Sequence, residues 1–298
     1  ATLAGDLVAL DAAGQRLWSV SLGDRVYSTP YVDDSGTILV GTDGKVIVAV
    51  SPKGKVEWKL EVDGEVDSGV TRGPDGLFVA AAGSTVVAVR AGGDVAWRFK
   101  AKGKVFSQPA VTADGLLVFG SQDDALYGVD RAGKERFRVP LGADVDASPC
   151  VADDGSIYVG TDAGEIVKLD AAGRILWRTA VGGFVRGALA VARNGDVLAG
   201  TYGPAPRVVR VRPDGVVSGA HPIQGTGAKE FGIHGAPLED ATGALFFGAQ
   251  DDRVYAVDAS GALLFVHETK GDVDGPLSLL SDGTLLVPSE DGSVTALR

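Results

Sequence analysis

Apolar residues along the chain come in short runs separated by Gly- and Asp-rich breaks, and no segment of about ten residues carries a helical period. Six stretches are variations on one phrase. They are VGTDGKVIVAVSPKGKVEW from Val40, VAAAGSTVVAVRAGGDVAW from Val79, FGSQDDALYGVDRAGKERF from Phe119, VGTDAGEIVKLDAAGRILW from Val159, AGTYGPAPRVVRVRPDGVVS from Ala199 and FGAQDDRVYAVDASGALLF from Phe247. Gly41 and its counterparts Ala80, Gly120, Gly160, Gly200, Gly248 and Pro288 follow at steps of 39, 40, 40, 40, 48 and 40 residues. Each copy predicts four strands, a to d, joined by tight Gly-containing turns. In the copy opening at Val26 these are VYSTPYV, TILVGT, KVIVAVS and KVEWKLE. Runs b and c are almost continuously apolar, as strands covered on both faces require. The aromatic near the start of d (Trp18, Trp58, Trp97, Phe137, Trp177, Phe265) is expected in the layer between neighbouring sheets, and Ser218 stands in its place in the fifth copy.

Repeated four-stranded antiparallel units of this length predict an all-β fold, a β-propeller spanning residues 1–298 as one domain. Six copies are complete from Val26 to about His267. The chain opens with a c and a d strand (Asp6–Trp18) and closes with a, b and a short c (SVTALR). Joining the termini makes a seventh blade and closes the ring, with one c strand surplus; an eight-bladed closure is the alternative.

The formal net charge of −11 argues against nucleic acid and anionic membrane as partners, because both demand basic patches. A basic protein or peptide is compatible with it. Cys150 is the only cysteine, which excludes an intrachain disulfide and a Cys-based metal cluster. No run approaches the roughly 18 apolar residues of a membrane span, and no signal-peptide core opens the chain. With no methionine present, the sequence reads as a processed or trimmed product that has lost any targeting segment. A monomer is expected.

The phrase G-[TS]-x-D-G-x-[VL]-x-A-[VL]-D-x-x-G-[KR]-x-x-W, clearest at Gly41–Trp58 and Gly160–Trp177, resembles the PQQ-like β-propeller repeat over essentially the whole chain. That family includes quinoprotein dehydrogenases and non-enzymatic members such as the propeller lipoprotein of the bacterial outer-membrane barrel-assembly machinery. Its quinoprotein alcohol dehydrogenases carry a vicinal cysteine pair and a Glu/Asn/Asp calcium site. Cys150 alone cannot form that pair, and the only asparagine, Asn194, sits in an Arg-Asn-Gly turn. The resemblance is therefore to the non-enzymatic branch, and it implies a periplasmic or envelope location. PQQ is not expected, nor any other cofactor, although a bound cation is compatible with the acidic turns. Relatives are usually eight-bladed, so seven copies is a departure.

Three features are candidates for binding. The b–c turns and d–a connections share one face of a propeller, and here the turns carry Asp43, Asp123, Asp124, Asp162, Glu165, Asp251, Asp252, Glu290 and Asp291. Asp-Gly is also simply good turn chemistry. At the start of strand a, near the expected channel mouth, the copies differ: Tyr27, Asp67, Phe106, Asp146, Arg186, His234 and Asp274. The next residue is small in every copy, so the variation reads as tuning or as relaxed constraint. Converging carboxylates there could chelate a hard cation. The fifth d–a connection, Gly219–Gly235, is eight residues longer and holds His221, Lys229, Glu230 and His234. An insertion in a strict repeat is the expected place for specific binding. The two histidines lack metal-ligand spacing. No P-loop, dinucleotide loop, nucleophile elbow or paired-histidine motif is present. The expectation is a non-catalytic binding scaffold of the envelope. The alternative is an enzyme or metal-dependent binder using the polar channel-mouth residues.

Overall fold

The computed structural model describes residues 1–223 and 231–298, with no α-helix among them. The chain divides into two compact units, Ala1–Arg138 and Val139–Arg298. It is an all-β propeller of four-stranded antiparallel sheets. Blade 1 consists of Tyr31–Val32, Ile38–Thr42, Val46–Val50 and Val56–Glu61. Blade 2 runs from Thr71–Arg72 to Val95–Lys100, and blade 3 from Ala110–Val111 to Glu135–Pro140. Blades 4, 5 and 6 open at Cys150–Val151, Ala190–Val191 and Leu238–Glu239. They end at Ile175–Ala180, Val217–Pro222 and Leu263–Glu268. Asp6–Leu10 and Arg16–Ser21 form a two-stranded sheet, strands c and d of the repeat. Ser278–Leu279, Leu285–Pro288 and Val294–Leu297 form a three-stranded one, strands a, b and c. The chain thus opens with strands c and d and ends with strands a, b and c of further copies of the repeat.

Strands b and c are buried throughout in blade 2 (Phe78–Ala82 and Thr85–Val89), whereas strand d alternates half-buried and exposed in blade 1. Facing positions of b and c repeat the same aromatic pair: Phe119 stacks on Tyr127 at 5.5 Å and Phe247 on Tyr255 at 5.2 Å. Strand a is shorter than its sequence run. Only Tyr31–Val32 pairs with strand b in blade 1. Pro30 has no N–H to give, and the Ser28 hydroxyl takes over instead, accepting from the Gly41 N–H and donating to the Gly41 carbonyl, both at 2.9 Å. Ser107 holds Gly120 the same way.

Successive blades are joined by two devices. A Cβ on Gly41 would lie 2.1 Å from Val66 of blade 2, and one on Gly160 2.2 Å from Val185 of blade 5, so glycine lets the next blade close on strand b. At the other edge the strand-d indole reaches forward. Trp18, Trp58, Trp97 and Trp177 donate their ring N–H to the carbonyls of Pro52, Ala91, Arg131 and Pro213 in the following c–d turn, at 2.8–3.0 Å. The turn glycines Gly54, Gly93, Gly133 and Gly215 have positive φ and lie flat against those rings.

In blade 5 the register places Gly219 opposite Arg210, where Trp177 stands opposite Lys168. The residue missing its aromatic is therefore Gly219, with Ser218 one place earlier. Arg210 fills the gap, bonding Asp196 at 3.4 Å and Glu239 of blade 6 at 3.1 Å, with all three side chains largely buried.

Candidate functional site

Within each unit, b–c turns are stitched by backbone hydrogen bonds to the neighbouring d–a connections. In the first unit Asp43 N–H donates to the Arg25 carbonyl at 3.0 Å, and Val66 N–H to the Thr42 carbonyl at 3.2 Å. In the second, Asp162 and Tyr202 bond Asp144 and Phe184, and Val185 and Val273 bond Thr161 and Ala249. The expected shared face of these two loop classes is thus present in each unit.

In the second unit this stitching sets three of the variable strand-a residues beside one residue of the preceding b–c turn. Arg186 makes a two-pronged ion pair with Asp162, Nε at 3.0 Å and Nη2 at 2.7 Å. Asp274 accepts from the Gln250 amide at 3.0 Å. The His234 ring meets Tyr202 edge-on at 6.3 Å. Asp43 is close enough to Asp67 for its charge to help raise the Asp67 carboxyl. These residues therefore act pairwise, each across one boundary between blades. Asp146 is half-buried at the same position ahead of blade 4.

Tyr27 and Phe106 carry cations on their rings. Arg25 lies 5.8 Å from the Tyr27 centroid and Lys104 5.6 Å from that of Phe106, while Tyr27 is 54% exposed. Arg25 also bonds Asp43 at 3.2 Å. Burial, reinforced by Asp43 and Glu65 and opposed by Lys104, pushes the Asp67 carboxyl up to about 6. Burial likewise raises Asp43, with Arg25 opposing. In the second unit burial and the carboxylates Asp274, Asp252 and Glu290 push Asp272 up to about 6. Asp123 goes the other way: burial favours its neutral form, but hydrogen bonds from Arg138 at 2.6 Å and Tyr127 at 2.7 Å hold it below the ordinary range.

His221 lies elsewhere, in strand d of blade 5, with its ring 6.1 Å from both Phe247 and Tyr255 and Nδ1 3.3 Å from the Gly261 carbonyl. It occupies the register of Phe99, which packs on Phe119 and Tyr127 in the same way. This histidine is part of the layer between blades. Lys229 and Glu230 lie outside the described residues. Past them, Phe231 and Ile233 are buried, and the His234 carbonyl accepts from Ala188 N–H at 3.1 Å. Among the described residues no group of three or more His, Cys, Asp or Glu is placed to hold a metal ion. No helix of the described residues is long and apolar enough to cross a membrane.

The sequence pointed to the strand-a residues but not to their partners. The signal was a constant separation: Asp43 and Asp67, Asp162 and Arg186, and Gln250 and Asp274 are each 24 residues apart. Tyr202 and His234 are separated by that interval plus the eight-residue insertion.

The model of one protein family, described as outer membrane protein assembly factor BamB, matches residues 3–89, 47–138, 82–154 and 123–211, which together span residues 3–211. No curated protein matches the chain. The crystal structure of BamB from Moraxella catarrhalis superposes with a TM-score of 0.79 at 19% identity, covering 99% of this chain and 89% of that one. The computationally designed Ika8 protein superposes with a TM-score of 0.76 at 18% identity, covering 99% and 90%. At these identities the likeness is one of fold.

Proposed function

The chain belongs to the family of outer membrane protein assembly factor BamB, and from that premise we propose that it is a non-catalytic scaffold of the bacterial cell envelope. Its partner on this reading is a protein or peptide whose docking segment is basic. The observation that carries the reading is how the strand-a residues are used. Arg186, Asp274 and His234 are engaged across blade boundaries rather than converging on a substrate. What the face offers outward in the first unit is the exposed Tyr27 ring and the exposed carboxylates Asp24 and Glu65, which act on the more buried Asp43. Aromatic rings and carboxylates together suit lysine and arginine side chains.

Isothermal titration of the protein with a lysine-rich and a glutamate-rich peptide tests this. The basic peptide is expected to bind, more weakly at high salt, and Tyr27→Ala is expected to weaken it further. Equal binding of both peptides would overturn the basic-partner reading. A stoichiometric metal ion in the purified protein, with a Tm that falls on chelation, would favour a metal-dependent binder instead.

A further inference from the structure

In blade 6 the first residue of strand c, Arg253, lies opposite Glu268 of strand d, and the two form an ion pair at 3.1 Å. Blade 5 has an arginine at the same register, Arg207, but the residue opposite it is Pro222. The Arg207 guanidinium reaches carbonyls instead. Its Nε donates to Ala205 at 3.3 Å and its Nη2 to Gly182 at 3.4 Å. Both bonds are long, and a carbonyl does not neutralise the charge as a carboxylate would.

Beside Arg207 lies a recess of about 400 Å³, lined by Pro204, Ala205 and Pro206 from the b–c turn and by Ala220, Pro222 and Ile223 from the end of strand d. That volume, with an apolar lining and one charged group, suits a small molecule. The three prolines have fixed φ, so the walls hold their shape before a ligand arrives and little ordering entropy is lost on binding. The base is braced as well. Thr201 N–H donates to the Arg207 carbonyl at 2.9 Å, and Arg207 N–H to the Thr201 hydroxyl at 3.0 Å. Ile223 N–H donates to the Pro206 carbonyl at 3.1 Å, which ties the turn to strand d.

We propose that this recess binds a small molecule with an apolar body and a single carboxylate, the carboxylate pairing with Arg207 as Glu268 pairs with Arg253. The repeat itself supplies the pattern for the bound state. In blade 6 the carboxylate comes from the chain, whereas in blade 5 proline and open space take its place and the ligand brings the charge.

Octanoate, followed by the NMR shifts of backbone amides, is the probe. The amides of Arg207, Val208 and Ile223 should move saturably, while those of Arg253 and Glu268 stay in place. Affinity should fall about fourfold for each methylene removed from the chain. Octanol binding to the wild type, and octanoate binding to Arg207→Gln, should each be about tenfold weaker or more, the worth of a hydrogen-bonded charge. Pro222→Glu sets a carboxylate opposite Arg207, as in blade 6, and should abolish octanoate binding from within. Should that variant fail to fold, Arg207→Gln and octanol still decide the matter. Equal affinity for octanoate and octanol would overturn the pairing with Arg207. Acetate binding as tightly as octanoate would mean an adventitious ion only, and shifts confined to other residues would overturn the site. None of these readouts involves Tyr27, so they stand apart from the basic-peptide titration.

Discussion

Arg210 replaces a ring with a charge. Where four blade boundaries carry an indole, this one carries a guanidinium between two carboxylates of different blades. A buried ion cluster of this kind is costly to break, because removing the cation leaves both carboxylates desolvated and uncompensated. Arg210→Ala is expected to destabilise the protein by about 3–5 kcal/mol in denaturant unfolding. A Cβ on Gly219 meets only the Arg210 Cβ, at 3.9 Å, so the vacated space lies over that residue. Gly219→Trp introduced together with Arg210→Ala should therefore recover part of the loss, and a double-mutant cycle reads that coupling. Nothing in the sequence marked Arg210, because arginine at an alternating strand position reads as a solvated charge until its partners, 14 and 29 residues away, are known.

Among the elements, strand d does two jobs at once, closing its own sheet and fastening the next. Its half-buried tryptophan contributes a ring that packs on a turn glycine and an N–H that bonds a turn carbonyl. The two contributions can be separated at Trp58. Trp58→Phe keeps most of the ring and should cost about 1 kcal/mol for the lost hydrogen bond, whereas Trp58→Ala should cost about 3 kcal/mol. Equal losses for the two variants in thermal or denaturant melts would mean that the hydrogen bond, not the packing, holds the turn. Strands b, c and d were legible because their apolar runs and turn glycines report burial and backbone geometry directly. Strand a was over-read. VYSTPYV looks like a seven-residue strand, yet Pro30 breaks its ladder and the Ser28 hydroxyl stands in for backbone pairing, an exchange that hydrophobic patterning does not register.

For the whole molecule, acidity works in two directions. Asp130 and Asp170 are held below the ordinary carboxylate range, chiefly by the backbone N–H groups of Lys134 and Arg174. Their contribution is lost as pH falls below about 4. Asp67 and Asp272, raised to about 6, lose theirs as pH rises through that value. The Tm is therefore expected to peak in mild acid and to drop by a few degrees between pH 5 and pH 7.5, a shift that calorimetry can follow. An unchanged or rising Tm over that interval would contradict the raised values. The propeller was legible because the repeat is strict, and the candidate face because its residues vary where the repeat does not. The pairing of those residues was not, since a boundary between blades joins positions that no short-range motif spans. The forward reach of the tryptophans has a mechanical consequence. Trp18, Trp58, Trp97 and Trp177 are each capped by the blade after their own, never by the blade before. The assembly consequently has a grain, like shingles on a roof. Force applied from the downstream side lifts one course at a time and bares the indole beneath it, whereas the same force from upstream must first pull a ring out from under its cover.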